Sequence, residues 1–108
     1  MELTHIVPDC VPSVWREIRE RVQVCIDHDT DDSLIEDVYH FVISQKASLY
    51  IAYVDKKIVG FTVLQRVYDM YSGVSKIMVW LCSCDKREYT EECFELIKSR
   101  QSLQVVTR

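Results

Sequence analysis

Two glycines and two prolines in 108 residues leave this chain almost without backbone punctuation. A long flexible linker needs a Gly/Ser- or Pro-rich tract, so that composition excludes one. Gly60 and Gly73 are the only glycines, so no glycine-rich phosphate loop exists anywhere along the chain. No apolar run approaches the ~20 residues that span a bilayer, and the opening Met1-Glu2-Leu3-Thr4-His5 has neither the basic start nor the apolar stretch of a secretory signal. Positive charge is also scarce. Thirteen Lys and Arg stand against seventeen Asp and Glu, a net charge of −4, whereas a phosphate-tracking surface carries a basic patch. Nucleic acid and membrane are therefore not expected partners. The densest charge is acidic, with Asp27, Asp29, Asp31, Asp32, Glu36 and Asp37 around His28, and it reads as a solvated loop. The five cysteines, Cys10, Cys25, Cys82, Cys84 and Cys93, are odd in number and lack framework spacing. With no export signal they are expected to be reduced, in a cytoplasm.

What remains is ordinary globular material, 48% hydrophobic and 28% charged, enough for one domain over residues 1–108 and no repeat. A weak alternation over residues 2–7 predicts a first strand ending at Pro8. Asp9 can cap a helix beginning just after it, and Pro12 suits a first helical turn. Val11, Val14, Trp15, Ile18, Val22, Cys25 and Ile26 recur at three- and four-residue steps and predict a helix over 11–27. Ser33 with Glu36 forms a capping box that opens a second helix over 33–45, with Val38 and Phe41 on its buried face. The runs 48–54 and 58–68 are β-branched and aromatic, and the polar Asp55-Lys56-Lys57 between them predicts an antiparallel hairpin. Tyr71-Ser72-Gly73 marks the next turn, and 74–81 predicts a third long strand. Asp85 with Glu88, or Thr90, starts a last helix carrying Cys93, Phe94, Leu96 and Ile97 on one side. Gln104-Val105-Val106-Thr107 begins one more strand. The order β-α-α-β-β-β-α, with a strand fragment, predicts an α/β (α+β) sandwich around a mainly antiparallel sheet.

The segment Leu49-Tyr50-Ile51-Ala52-Tyr53-Val54-Asp55-Lys56-Lys57-Ile58-Val59-Gly60-Phe61-Thr62-Val63 resembles the second and third strands of GNAT-superfamily N-acetyltransferases. The upstream Val11-Pro12-Ser13-Val14-Trp15 and Asp32-Ser33-Leu34-Ile35-Glu36-Asp37-Val38 resemble the helical start of GNAT-like proteins common in bacteriophage genomes, and the resemblance runs to about residue 100. It implies a GNAT-like fold with an abbreviated C-terminal part, acetyl-CoA as cofactor, amine acetylation as activity, and a host cytoplasm or virion as location. In that family the pyrophosphate sits on backbone N–H groups where the fourth strand turns into the third helix, on a glycine-containing signature. The matching stretch here, Cys84-Asp85-Lys86-Arg87-Glu88-Tyr89-Thr90-Glu91, has no glycine. Asp85 and Glu88 oppose an anion, and Lys86 and Arg87 partly offset them.

The resemblance thus points to Leu81, Cys82, Ser83, Lys86, Arg87 and Glu88 as cofactor-binding positions, with the backbone near 81–83 on the acetyl and pantetheine parts. It points to Asp69 and Tyr71 as base and acid candidates, against a competing reading of both as turn residues. A non-catalytic interaction or virion-associated role for the same fold is the alternative. Cys82-x-Cys84 with Cys93 and scattered His5, His28 and His40 falls short of zinc-ligand spacing, so no metal is expected. A sheet that stops early leaves the 74–81 edge without its usual neighbours, so self-association through that edge, or a protein partner, is expected unless the Gln104 to Thr107 segment pairs with its own strand and satisfies the edge within one subunit.

Overall fold

The computed structural model describes residues 1–25, 33–71, 73–100 and 104–107. The acidic run at 27–32 and its His28 lie outside the described residues. A five-stranded sheet in the order β1-β2-β3-β4-β5 forms the middle layer. Its strands are β1 (Glu2–Ile6), β2 (Ala47–Val54), β3 (Lys57–Asp69), β4 (Val74–Cys84) and β5 (Gln104–Thr107). β1 to β4 are antiparallel, and β5 joins β4 in parallel. Helices α1 (Val11–Cys25) and α2 (Ser33–Ile43) cover one face and α3 (Arg87–Arg100) packs on the other. The layers arise from the residue patterns. Val11, Ile18 and Val22 of α1, with Ile35, Val38 and Val42 of α2, meet Leu49, Ile51, Phe61 and Val63 in one buried cluster. Leu3, Ala52, Leu64, Ile77 and Val79 meet Cys93 and Ile97 of α3 in the other.

Two expected boundaries shift for local reasons. α2 stops at Ile43 rather than near Gln45, because Gln45 takes a left-handed φ of 65°. Gln45 N–H then donates to the Val42 carbonyl and Lys46 N–H to the Phe41 carbonyl, a Schellman closure. β4 runs three residues past Leu81 to Cys84. The β2–β3 turn is tighter than the three residues expected, since Val54 pairs with Lys57 and only Asp55 and Lys56 intervene, at φ 51° and 66°. A two-residue turn with both φ positive is the type whose twist suits a hairpin. Phe41, expected in the core, is 36% exposed and packs at a tilt against Trp80, ring centroids 5.5 Å apart. No helix among the described residues is long and apolar enough to cross a membrane.

Candidate functional site

β4 changes phase in its middle. Val63 faces Leu81 but Leu64 faces Val79, so Trp80 is an extra residue on β4. Ile77 and Val79 belong to the α3-side cluster, whereas Trp80 and Leu81 both lie on the α1/α2 side and Cys82 and Cys84 return to the α3 side. Such a bulge kinks the strand and strengthens its twist. Just beyond it, the fully buried Thr62 hydroxyl donates to the Leu81 carbonyl at 3.1 Å and holds the kinked stretch to β3. Among the described residues, β5 pairs with β4 only over Lys76, Ile77, Met78 and Val79. The Gln104–Thr107 segment thus pairs with its own chain's strand and covers those four positions of the 74–81 edge. The β5 ladder ends at Val79, and Leu81, Cys82 and Ser83 lie on the stretch of β4 past that end.

The end of β4 is fixed by three contacts. Gly60 faces Cys84 in the register, and a Cβ on Gly60 would fall 2.3 Å from Cys84 Sγ and 2.7 Å from the Ser83 carbonyl oxygen. Only glycine lets these strands approach so closely. Next, the Asp85 N–H donates to the Val59 carbonyl at 2.8 Å. Finally, Arg21 of α1 forks onto Asp85, with Nη1 on Oδ1 and Nη2 3.4 Å from Oδ2, while Nη2 also donates to the Ile58 carbonyl at 3.1 Å. The Arg21 hydrogen bond holds the Asp85 carboxyl below its ordinary range. Asp85 therefore does not stand as a bare anion at this corner, and its charge is offset from within the chain.

Beyond Asp85 the chain enters α3. The Tyr89 and Thr90 N–H groups both fold back onto the Lys86 carbonyl, at 3.1 and 3.3 Å. Helix geometry leaves the Arg87 and Glu88 amides as first-turn donors aimed outward. Lys86 lies with Nζ 5.6 Å from the Tyr89 ring centroid, and Arg87 pairs with Glu91 at 3.3 Å. Glu88 is exposed in the same turn and works against an anion there. On the α3 side of the strand end, Cys84 Sγ is 3.8 Å from Cys93 Sγ. Hydrogen bonds from Cys82 and Cys93 hold the half-buried Cys84 thiol well below the ordinary range. The bond to Cys84, then burial, pushes the Cys93 thiol up. No group of three or more His, Cys, Asp or Glu among the described residues is placed to hold a metal ion.

Leu81, Cys82, Ser83, Lys86, Arg87 and Glu88 therefore share one corner of the molecule. Asp69 and Tyr71 do not join them. Asp69 is the last residue of β3, paired with Val74 at the far end of β4, and its side chain lies outside the described residues. Tyr71 stands fully exposed in the turn after β3. From Val63, opposite Leu81, to Asp69 is six residues of strand, roughly 20 Å at ~3.3 Å per residue. Surface grooves among the described residues lie elsewhere. One of about 600 Å³ is lined by Glu2, Thr4, Tyr53 and Lys56, and one of about 320 Å³ by Ser48, Tyr50, Arg66 and Ile77. In the first, burial and then Glu17 and Glu2 raise the Tyr53 phenol. Sequence reasoning missed Arg21 as a part of the corner. Its sole signal was an arginine at the α1 step four residues after Glu17, which any solvated helix face also shows.

No family model matches the chain, and no curated protein sequence matches it significantly. Solved structures do. A possible acetyltransferase from Clostridium difficile 630 aligns with a TM-score of 0.69 at 10% identity, over 98% of this chain and 76% of that one. The ribosomal-protein-alanine N-acetyltransferase from Brucella melitensis biovar Abortus 2308 aligns with a TM-score of 0.67 at 14% identity, over 100% of this chain and 80% of that one. A predicted acetyltransferase with acetyl-CoA from Clostridium acetobutylicum aligns at 0.60 and 13% identity, over 99% and 79%. The fold is that of the GNAT acetyltransferases.

Proposed function

We propose that this chain, built on the GNAT acetyltransferase fold, is an acyl-CoA-dependent N-acetyltransferase domain that holds its donor weakly. The observation that carries the reading is the stretch of β4 at Leu81 and Ser83, past the end of the described β5 pairing and leading straight into the first turn of α3. Backbone amides along that stretch suit the amide-rich pantetheine arm, and the Arg87 and Glu88 amides with the Lys86 and Arg87 side chains suit a pyrophosphate. Bound there, the donor would supply a thioester whose acyl carbon is open to an amine. The fit is partial. The Asp85 amide is spent on Val59, Glu88 repels, and no glycine allows close backbone approach between Cys84 and Glu91. Calorimetric titration with acetyl-CoA is expected to give saturable binding weaker than about 0.1 mM, less than roughly 5.5 kcal/mol. A low-micromolar constant would overturn the weakness assigned to this loop.

A non-catalytic interaction module is the second reading, and one observation favours it. Asp69 and Tyr71 stand about 20 Å from Leu81, in a hairpin end that exposes Tyr68, Met70 and Tyr71. No saturable heat at millimolar acetyl-CoA would leave this reading in place of the first.

A further inference from the structure

We propose that Cys84 and Cys93 are a peroxide-responsive dithiol, in which Cys84 is the thiol oxidised first and Cys93 the thiol that resolves it into a disulfide. The geometry already brings the sulfurs to 3.8 Å, so a bond of ~2.05 Å needs them to close by less than about 2 Å. The two positions differ in access. Cys84 ends β4 half-buried, whereas Cys93 is completely buried on the sheet-facing side of α3. Gly60 supplies the space, because a Cβ there would fall 2.3 Å from Cys84 Sγ. The absent side chain thus lets the sulfur lie back against β3 and toward α3.

Chemically the pair is asymmetric in the required sense. Hydrogen bonds from Cys82, Cys93 and Thr90 favour the Cys84 thiolate, and the thiolate is the nucleophile. Its sulfur attacks one peroxide oxygen, the S–O bond forms as O–O breaks, and the leaving hydroxide takes a proton to become water. Cys84 is then a sulfenic acid. The Cys84 anion that kept Cys93 protonated is gone, so Cys93 yields its proton and attacks the Cys84 sulfur. S–S forms, S–O breaks, and a second water leaves. Two thiols are oxidised and one peroxide is reduced to two waters. The resulting bond joins positions nine residues apart and closes a loop around Lys86, Arg87 and Glu88.

The test uses the full reduced chain and hydrogen peroxide, with no cofactor, so its outcome is independent of the donor reading. One equivalent should remove two of the five thiols and lower the mass by about 2 Da. Trypsin cuts after Lys86 and Arg87, so the expected product joins the peptide holding Cys84 to the one holding Cys93. Dithiothreitol should release them. Cys82→Ser should still form the bond, and Cys84→Ser should not. In folded protein the bond should form at least roughly tenfold faster than Cys10 is oxidised, and that selectivity should vanish in denaturing urea. A bond that survives in Cys84→Ser, one lost in a folded Cys82→Ser, or preferential oxidation of the exposed Cys10 would overturn the proposal. If Cys84→Ser does not fold, the wild-type and Cys82→Ser maps decide it.

Discussion

Gly60 shows how much one missing methyl group fixes at the residue scale. Its backbone could be adopted by other residues, so the requirement is spatial. A Cβ would meet Cys84 Sγ at 2.3 Å, the Ser83 carbonyl oxygen at 2.7 Å and Cys84 Cα at 2.8 Å. Gly60→Ala is therefore expected to destabilise the chain by roughly 1–3 kcal/mol, the range for forced overpacking. The urea unfolding midpoint reads this directly. Adding Cys84→Ala removes the sulfur clash but neither backbone clash, so the double variant should recover less than half the loss. A Gly60→Ala protein as stable as its parent would mean that β3 and β4 can part without cost.

Among elements, the tie that crosses the sheet is Arg21 of α1 on Asp85, in the turn between β4 and α3. Because Arg21 depresses the Asp85 carboxyl below its ordinary 3.8, the folded chain binds that proton more weakly than the unfolded chain does. The stabilisation is complete above that ordinary value and is lost as pH falls through it toward the depressed folded value. Thermal midpoints of wild type should thus fall more steeply between about pH 5 and about pH 2.5 than those of Asp85→Asn. Equal slopes would remove the pair from the stability of this corner. Sequence could not announce such a tie, since its partners are 64 residues apart. It did announce the elements whose apolar residues keep a clean period, such as the α1 stripe and the two strands of the hairpin around Asp55–Lys57. It was silent where the period blurs. Ile77, Met78, Val79, Trp80 and Leu81 are all apolar, so no alternation betrays the bulge or the strand's extension to Cys84. An order of elements also does not say which end of a strand carries a site, which is how Asp69 and Tyr71 fell at the opposite end from Leu81.

For the molecule as a whole, β5 decides how much edge is left for another chain. Its four residues occupy the ladder of Lys76, Ile77, Met78 and Val79, and an unpaired edge is a template for association. We propose that self-association of this chain would use the stretch of β4 past the end of that ladder, at Trp80, Leu81 and Ser83. Removing residues 104–108 would reopen the other four positions. Light scattering at micromolar concentration is expected to show a larger mass for the shortened chain than for the 12.7 kDa parent, and equal masses would deny the edge any role. The bulge has a consequence of another kind, for how this sheet tolerates changes in length. A residue gained or lost within a regular strand turns every side chain beyond it to the wrong face. In β4 the fault is already present, with Trp80 and Leu81 side by side on one face. Loss of Trp80 alone would restore plain alternation and leave Val79, Leu81, Cys82 and Cys84 each facing the layer they face now.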